Sequence, residues 1–285
     1  MDRLLVERPG LVIGWFRCPP GEAAWSHPNV IGGGPLVVFP TTAVEIAHVD
    51  RPAVVANVNV AMFYNADQRY VRRLLDPRGD RCLYVALGAA TYAAIAAEHD
   101  PAAAEVPGHP FGFDRAPIDA SLHLRHAALA EIAGRGDPLE VEEEAVDLVR
   151  AVVARGFGAP RPPPVRSSAR HRDAVHRLER RLSVAPTDDH TLGELADAVE
   201  LSPYHAARLF RAHTGRSLHE YRTHLRLRSS LRALADPTVD LTELALGLGF
   251  ASHSHFTTRF RRVFGAPPSA VRGRWATLRR LRART

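Results

Sequence analysis

The chain contains no lysine; all 37 of its basic residues are arginine. It has two cysteines, Cys18 and Cys82, too few for a disulfide scaffold. No run of about 18 apolar residues occurs, so no membrane partner is expected. The charged stretch Met1–Arg8 leads into no apolar core with a cleavage site. No signal peptide is therefore expected, and the expected location is cytoplasmic. Chemistry-bearing clusters are also scarce. His27 and His48 stand alone, and no His-x-His falls on an expected strand. His123 and His126 share a helix face, which reads as solvated surface rather than a metal site. His253-Ser-His255 opens a helix of another kind, described below. No glycine-rich phosphate loop and no Ser/His/Asp constellation stands out. The expectation is a protein that is not an enzyme, with no catalytic residue, no cofactor and no metal.

Charge is abundant but divided. Residues 1–164 carry 15 Arg against 20 acidic residues, and residues 165–285 carry 22 Arg against 11. An acidic half is thus joined to a strongly basic one, and a basic domain is the electrostatic footprint expected of phosphate-backbone binding.

The first half reads as short strands followed by helices. Leu11–Arg17, Leu36–Phe39, Val44–Val49, Val54–Phe63, Tyr70–Leu75 and Cys82–Leu87 are rich in Val, Phe and Tyr and bounded by turn residues, which suggests a small barrel or sandwich. Helices are expected at Ala89–His99, Asp119–Ala133 and Pro138–Arg155. The last has an apolar stripe of Val141, Ala145, Leu148, Val149 and Val152, to be covered by its own barrel or by another subunit. Gly156–Val165, with three consecutive prolines, reads as a semi-rigid spacer. The expected domains are therefore 1–157, a linker at 158–167, and 168–285.

The second half contains one unit written twice. Thr191-x-x-Glu-Leu-Ala196 precedes Leu201, Ser202, Arg208, Phe210, Arg211 and Gly215; Asp240-x-x-Glu-Leu-Ala245 precedes Phe250, Ser252, Phe256, Phe260, Arg261 and Gly265. The offset is 49 residues before the turn and 50 from the serine onward. Each copy reads as a helix-turn-helix. Thr191/Glu194 and Asp240/Glu243 can cap the first helix, and Ser202 and Ser252 the second. The second helices, Pro203–His213 and His253–Val263, turn Leu209, Phe210, Phe256 and Phe260 to the core. Their other faces carry Tyr204, Ala207, Arg208 and Arg211 in one copy, and His253, Ser254, Thr257, Thr258 and Arg261 in the other. An arginine there can grip guanine with two hydrogen bonds, worth ~1–3 kcal/mol of discrimination. Arg216, Arg222, Arg259, Arg262 and Arg272 are placed to hold phosphates, which sets register rather than sequence preference. Leu218–Ala235 reads as a long helix joining the copies, after a leading helix at Ala169–Leu182.

The run Leu244–Arg272, with Ala245, Gly249-Phe250, Ser252, Phe256, Phe260, Gly265, Pro268 and Arg272 in framework positions, resembles the AraC/XylS family of bacterial transcription regulators. The first copy is similar more loosely, and the likeness spans about 169–274. Thr258, Val271 and Ala251 depart from the family's usual Arg, Tyr and Ser. The resemblance implies an α+β chain: an N-terminal cupin-like β-barrel with flanking helices, then an all-α DNA-binding domain with two helix-turn-helix motifs. It implies double-stranded DNA, RNA polymerase and a small-molecule effector as partners, and a homodimer through Asp119–Arg155. Activation is the mode it implies, with repression left open. The alternatives are a cupin-type binding protein or enzyme tethered to DNA, and an architectural DNA-binding protein. Phe16, Cys18, Trp25, Gly79, Asp80 and Cys82 are similar to a pattern in a subset of these regulators. Three readings stay open for the thiols: inert core packing, a redox pair, or an effector or metal site in which Cys18, Trp25 and Cys82 are joined by His27.

Overall fold

The computed structural model describes residues 3–49, 51–134, 136–158 and 169–282. Its first half is a pair of antiparallel sheets. The strands, in chain order, are β1 (Arg3–Arg8), β2 (Leu11–Cys18), β3 (Asn29–Val30), β4 (Leu36–Pro40), β5 (Val44–His48), β6 (Val54–Ala56), β7 (Val60–Tyr64), β8 (Arg69–Leu74), β9 (Asp80–Leu87) and β10 (Arg115–Pro117). One sheet has the order β1-β2-β9-β4-β7-β10 and the other β3-β8-β5-β6. The described residues thus form two separate sheets where a barrel was one of the expected forms.

Alternation along the strands divides the apolar residues between two cores. Val38, Met62 and Cys82 face inward, toward Val44, Ile46 and Tyr70 of the smaller sheet. Val37, Phe39, Ala61, Phe63, Leu83 and Val85 face outward, under helices α1 (Ala89–Ala97), α2 (Ala120–Ile132) and α3 (Pro138–Gly158). The apolar stripe of α3 is buried there, so its own sheet supplies the cover.

Three sequence readings need correction. Val54–Phe63 is two strands, because Asn57 and Asn59 form a turn: Val60 N–H donates to Asn57 O at 3.1 Å and Asn59 N–H to Asn57 Oδ1 at 2.8 Å. His123 and His126 are buried, not solvated, at 4% exposure each. Gly156–Gly158, read as the start of the spacer, belong to α3, and a Cβ on Gly156 would strike the Phe113 ring. The rest of the proline-rich linker lies outside the described residues. The short strands β1, β3 and β10 carried no sequence signal strong enough to read.

The second half is helical: α4 (Ala169–Val184), α5 (Leu192–Asp197), α6 (Pro203–Thr214), α7 (Leu218–Leu234), α8 (Leu241–Gly247), α9 (His253–Phe264) and α10 (Pro268–Arg282). Its apolar residues form two cores that share α7. Tyr221 and Leu225 complete a core with Leu178, Leu182, Leu195 and Phe210. Leu227, Leu231 and Leu234 complete another with Phe250, Phe256, Phe260 and Trp275. A helix that feeds both cores holds the two units in fixed relation.

The halves meet across a polar seam. The Asn57–Asn59 turn enters the helical half, where Val58 joins the first core. Asn57 Nδ2 donates to Ser183 Oγ and Tyr221 Oη at 2.8 Å each. Arg228 of α7, 1% exposed, donates to Asn59 Oδ1 at 2.8 Å, Val58 O at 3.2 Å and Ile118 O at 2.6 Å. Burial pushes its guanidinium down to about 9, since the charged form loses water. Arg115 pairs with buried Glu179 of α4 at 3.1 Å. Loss of one member of such a pair would strand the other, so the seam is costly to open piecemeal.

Candidate nucleic-acid interface

Local rules position both reading helices. Thr191 Oγ1 accepts from Glu194 N–H while Glu194 Oε2 accepts from Thr191 N–H, a complete capping box on α5. These bonds to Thr191 hold the Glu194 carboxyl below its usual range. On α8 the single Asp240 Oδ1 accepts from Thr242 and Glu243 N–H at 2.7 and 2.8 Å. Those two bonds, Glu243's first, lower its pKa likewise. Ser202 and Ser252 cap α6 and α9 as expected, and Gly215 and Gly265 end them in left-handed conformation. A further capping box, Ser217/Glu220 on α7, was legible in the same Ser-x-x-Glu spacing.

The turns differ by one residue, as the offset implies. Glu200 (φ 58°) takes the left-handed position in the first copy and Gly249 (φ 75°) in the second. Ser202 then follows Leu201 directly, whereas Ala251 separates Phe250 from Ser252.

Leu209, Phe210, Phe256 and Phe260 are buried, which rotates the other faces of α6 and α9 outward. Tyr204 is 77% exposed, and the Arg208 guanidinium lies 6.0 Å from its ring centroid. Arg208, Arg211, Ser254, Thr258, Arg261 and Arg262 are exposed; Ala207, His253, Thr257 and Arg259 are half-buried. Arg208, Arg261 and Arg262 make no side-chain hydrogen bond or ion pair among the described residues. His253 Nε2 lies 3.4 Å from Thr257 Oγ1, and Arg259 Nε donates to His255 Nε2 at 3.3 Å.

Three of the arginines assigned to phosphates already hold backbone carbonyls. Arg216 reaches Ile118 O across the seam at 3.4 Å, and burial lowers its pKa. Arg222 donates to Asp188 O at 2.9 Å, and Arg272 to Val239 O at 2.8 Å. One fastener escaped the sequence reading. Arg226 of α7 donates to Pro186 O, to Thr187 O at 2.9 Å and to Gly249 O at 2.8 Å, tying the loop before α5 to the turn of the second copy. Nothing in its local pattern distinguishes it from an exposed arginine.

The cysteine region is separate from this surface. In the β2–β9 ladder Cys18 faces Asp80 and Cys82 faces Phe16, so the two thiols are diagonal neighbours. A diagonal spacing of about 7–8 Å exceeds the ~4.4–6.8 Å between Cα atoms that a disulfide spans. Both cysteines are buried and neither is disulfide-bonded. Arg72 lies within this core, paired with Asp80 at 3.2 Å and placed over the Phe16 ring. Burial raises the Asp80 carboxyl to about 6 against the pull of Arg72, and burial also raises the Cys18 thiol. Trp25 Nε1 donates to Pro19 O at 2.7 Å, whereas His27 is exposed. Among the described residues no three His, Cys, Asp or Glu side chains are grouped to hold a metal ion.

A family model described as a helix-turn-helix domain matches residues 195–274. The HTH-type transcriptional regulator GlxA of Rhizobium meliloti (strain 1021) is 29% identical over 163 residues, which cover 54% of this chain and 47% of that protein. The HTH-type transcriptional activator RhaS of Escherichia fergusonii is 38% identical over 85 residues, 30% of this chain and 31% of that one. The chain thus spans about half, or less, of the length of the curated relatives it matches. The solved structure of ToxT from Vibrio cholerae aligns over 92% of this chain and 98% of its own, at 11% identity and a TM-score of 0.36.

Proposed function

We propose that the chain is a transcription regulator of AraC/XylS type that binds double-stranded DNA through α6 and α9. The observation that carries this reading is the duplicated helix-turn-helix built on one shared helix, with Arg208 exposed on one reading face and Arg261 on the other. The match of residues 195–274 to a helix-turn-helix family supports it. Arg208, Tyr204 and Arg211 read bases from the first copy; His253, Ser254, Thr257, Thr258 and Arg261 form the second surface. Arg259 and Arg262 hold phosphates.

The two-sheet half is the cupin-like sensor, and its effector sets how the DNA-bound protein acts on RNA polymerase, as an activator. A homodimer through α2 and α3 would use their polar faces and the exposed Leu139, because the main apolar stripe of α3 is buried within the chain. Selection of bound fragments from genomic DNA tests the reading. A discrete operator is expected, and Arg208→Ala is expected to lose ~1–3 kcal/mol of discrimination at one base pair. Uniform binding to all fragments, or unaltered base preference in that variant, would refute it.

A further inference from the structure

Cys18, Asp80 and Cys82 share the inward face of the larger sheet. Cys18 pairs with Asp80, and Cys82 stands two residues further along β9, so the strand period turns all three the same way. Both thiols are buried, at 3% and 5% exposure. Their backbone is held closely. Gly79 precedes β9 in left-handed conformation (φ 84°), and a Cβ there would strike Cys18 O. Arg72 of β8 reaches over from the smaller sheet, pairs with Asp80 at 3.2 Å and lies close enough to Cys18 to act on its charge. Its Nη2 donates to Tyr70 Oη, but its Nε is a buried N–H donor with no acceptor. A fold keeps few such donors, because each forfeits its hydration without return. A buried cationic donor left open beside a thiol fits a sulfur that carries negative charge.

A disulfide spans about 4.4–6.8 Å between Cα atoms through an S–S bond of about 2.0 Å. Two metal–sulfur bonds of about 2.3 Å in its place lengthen the bridge by about 2.5 Å. The reach becomes about 7–9 Å, and the diagonal spacing of Cys18 and Cys82 falls within it. We propose that Cys18 and Cys82 together hold one soft, closed-shell monovalent metal ion, Cu(I) or its analogue Ag(I), in two-coordinate geometry. Thiolate donors select this class. Two donors are too few for Zn(II), which takes four, and Mg(II) and Ca(II) require oxygen. The two thiol protons pass to solvent as the two metal–sulfur bonds form, and the ion keeps its oxidation state. The bound unit carries one net negative charge, which Arg72 faces, and the Cys18 sulfur accepts from Arg72 Nε–H. The ion enters through the loop after β2, where Gly21, Glu22 and Ala23 are exposed and the Glu22 carboxylate acts on Cys18. The site does not depend on the DNA-binding role.

Competition for Cu(I) between the reduced, metal-free full chain and the chromophoric chelator bicinchoninate tests the site. The parent chain is expected to withdraw one ion per chain. Cys18→Ser and Cys82→Ser are each expected to lose at least about a hundredfold in affinity, because removing a ligand costs more than the ~10–100-fold of removing an outer partner. Melting curves without metal are the control for folding. Should a serine variant fail to fold, Cys18→Ala or Cys82→Ala carries the same test with the core kept apolar. In a second arm, Cu(I) raises the melting temperature of the parent and of neither variant, since binding to the folded state alone stabilises it. Zn(II) at the same concentration raises neither. Failure of the parent to withdraw Cu(I), binding unchanged in either variant, or an equal melting shift with Zn(II) would each overturn the site.

Discussion

The two helix-turn-helix copies are alike inside and unlike everywhere else. Each buries an apolar residue before the turn and a phenylalanine at the matching position after it, Phe210 or Phe260; each caps its second helix with serine, and each ends that helix with a left-handed glycine. They differ in what holds them. The first copy is backed by α4, by the Asn57–Asn59 turn through bonds from Asn57 to Ser183 and Tyr221, and by Arg115 of β10 through its ion pair with Glu179. The second is backed by α10 and by Ala120, Leu124 and Ala127 of α2, with His123 and His126 on the same helix. Duplication has preserved the packing of the unit while its two attachments to the sheets diverged. Events at the seam therefore need not reach both copies equally.

The largest test removes the packing itself. Phe260 is fully buried between Phe256 and Phe264, at ring-centroid distances of 5.6 and 4.4 Å. Phe260→Ala is expected to cost ~3–5 kcal/mol. Because the cores are separate, hydrogen exchange should accelerate in α8–α10 more than in α5 and α6. Equal acceleration in both copies would mean that α7 couples them into one cooperative unit.

Acid tests the attachments. Burial holds His126 down to about 4 and His123 well below its ordinary value. Both are therefore neutral in the fold, and both would gain a proton in the unfolded chain below about pH 6.5. The sign follows: protonation favours the unfolded state, so stability is lost as pH falls from about 6.5 toward 4. For His126 alone the loss approaches about 3 kcal/mol. His126→Gln should flatten the pH dependence of the midpoint in urea, and exchange on α2 and α9 should rise before that on α4. An unaltered pH profile in the variant would break the assignment.

Exposed surfaces are tested more gently. Thr258 occupies an exposed position on α9 where the first copy has Arg208 on α6. Thr258→Arg adds a possible contact to a base or phosphate and should tighten operator binding by about 1 kcal/mol or more. No gain in fluorescence anisotropy would mean that the second copy docks with that face turned from the groove.

Periodicity made much of this molecule legible. Apart from β3 and the split of Val54–Phe63 into two strands, the strands from Leu11 to Leu87, each helix from α1 to α9 and the duplicated unit follow from apolar spacing and capping residues. What escaped depends on long-range partners. Nothing near Arg226 or Arg228 signals that one will tie two loops together and the other will be buried on carbonyls of the opposite half. The same holds for His123 and His126, polar by composition but enclosed once α2 is held between sheets and helices. Arg216, Arg222 and Arg272 fit a phosphate-binding pattern by position, yet carbonyls reach them first. Within the interface, exposure of Arg208 followed directly from burial of Leu209 and Phe210 beside it.

The smallest expected effect lies in the turn, where the copies made different choices at one backbone position. Glu200 adopts a left-handed conformation that costs an ordinary L-residue roughly 1–2 kcal/mol. Its side chain returns little, since the ion pair with Arg170 is long, at 3.4 Å, and exposed on both sides. Gly249 adopts the same conformation without strain, and it is also hemmed in. A Cβ there would lie 3.0 Å from Arg226 Cζ and 3.1 Å from Thr187 O. Gly249→Ala should therefore cost both strain and displacement of Arg226. Glu200→Gly should relieve the strain but add freedom to the unfolded chain, worth roughly 0.5–1 kcal/mol against it. The net is a stabilisation of about 0.5 kcal/mol, visible as a small rise in the urea midpoint of the first copy. A loss of stability on Glu200→Gly would show that this turn is held by the glutamate itself, and that the two turns differ in more than their length.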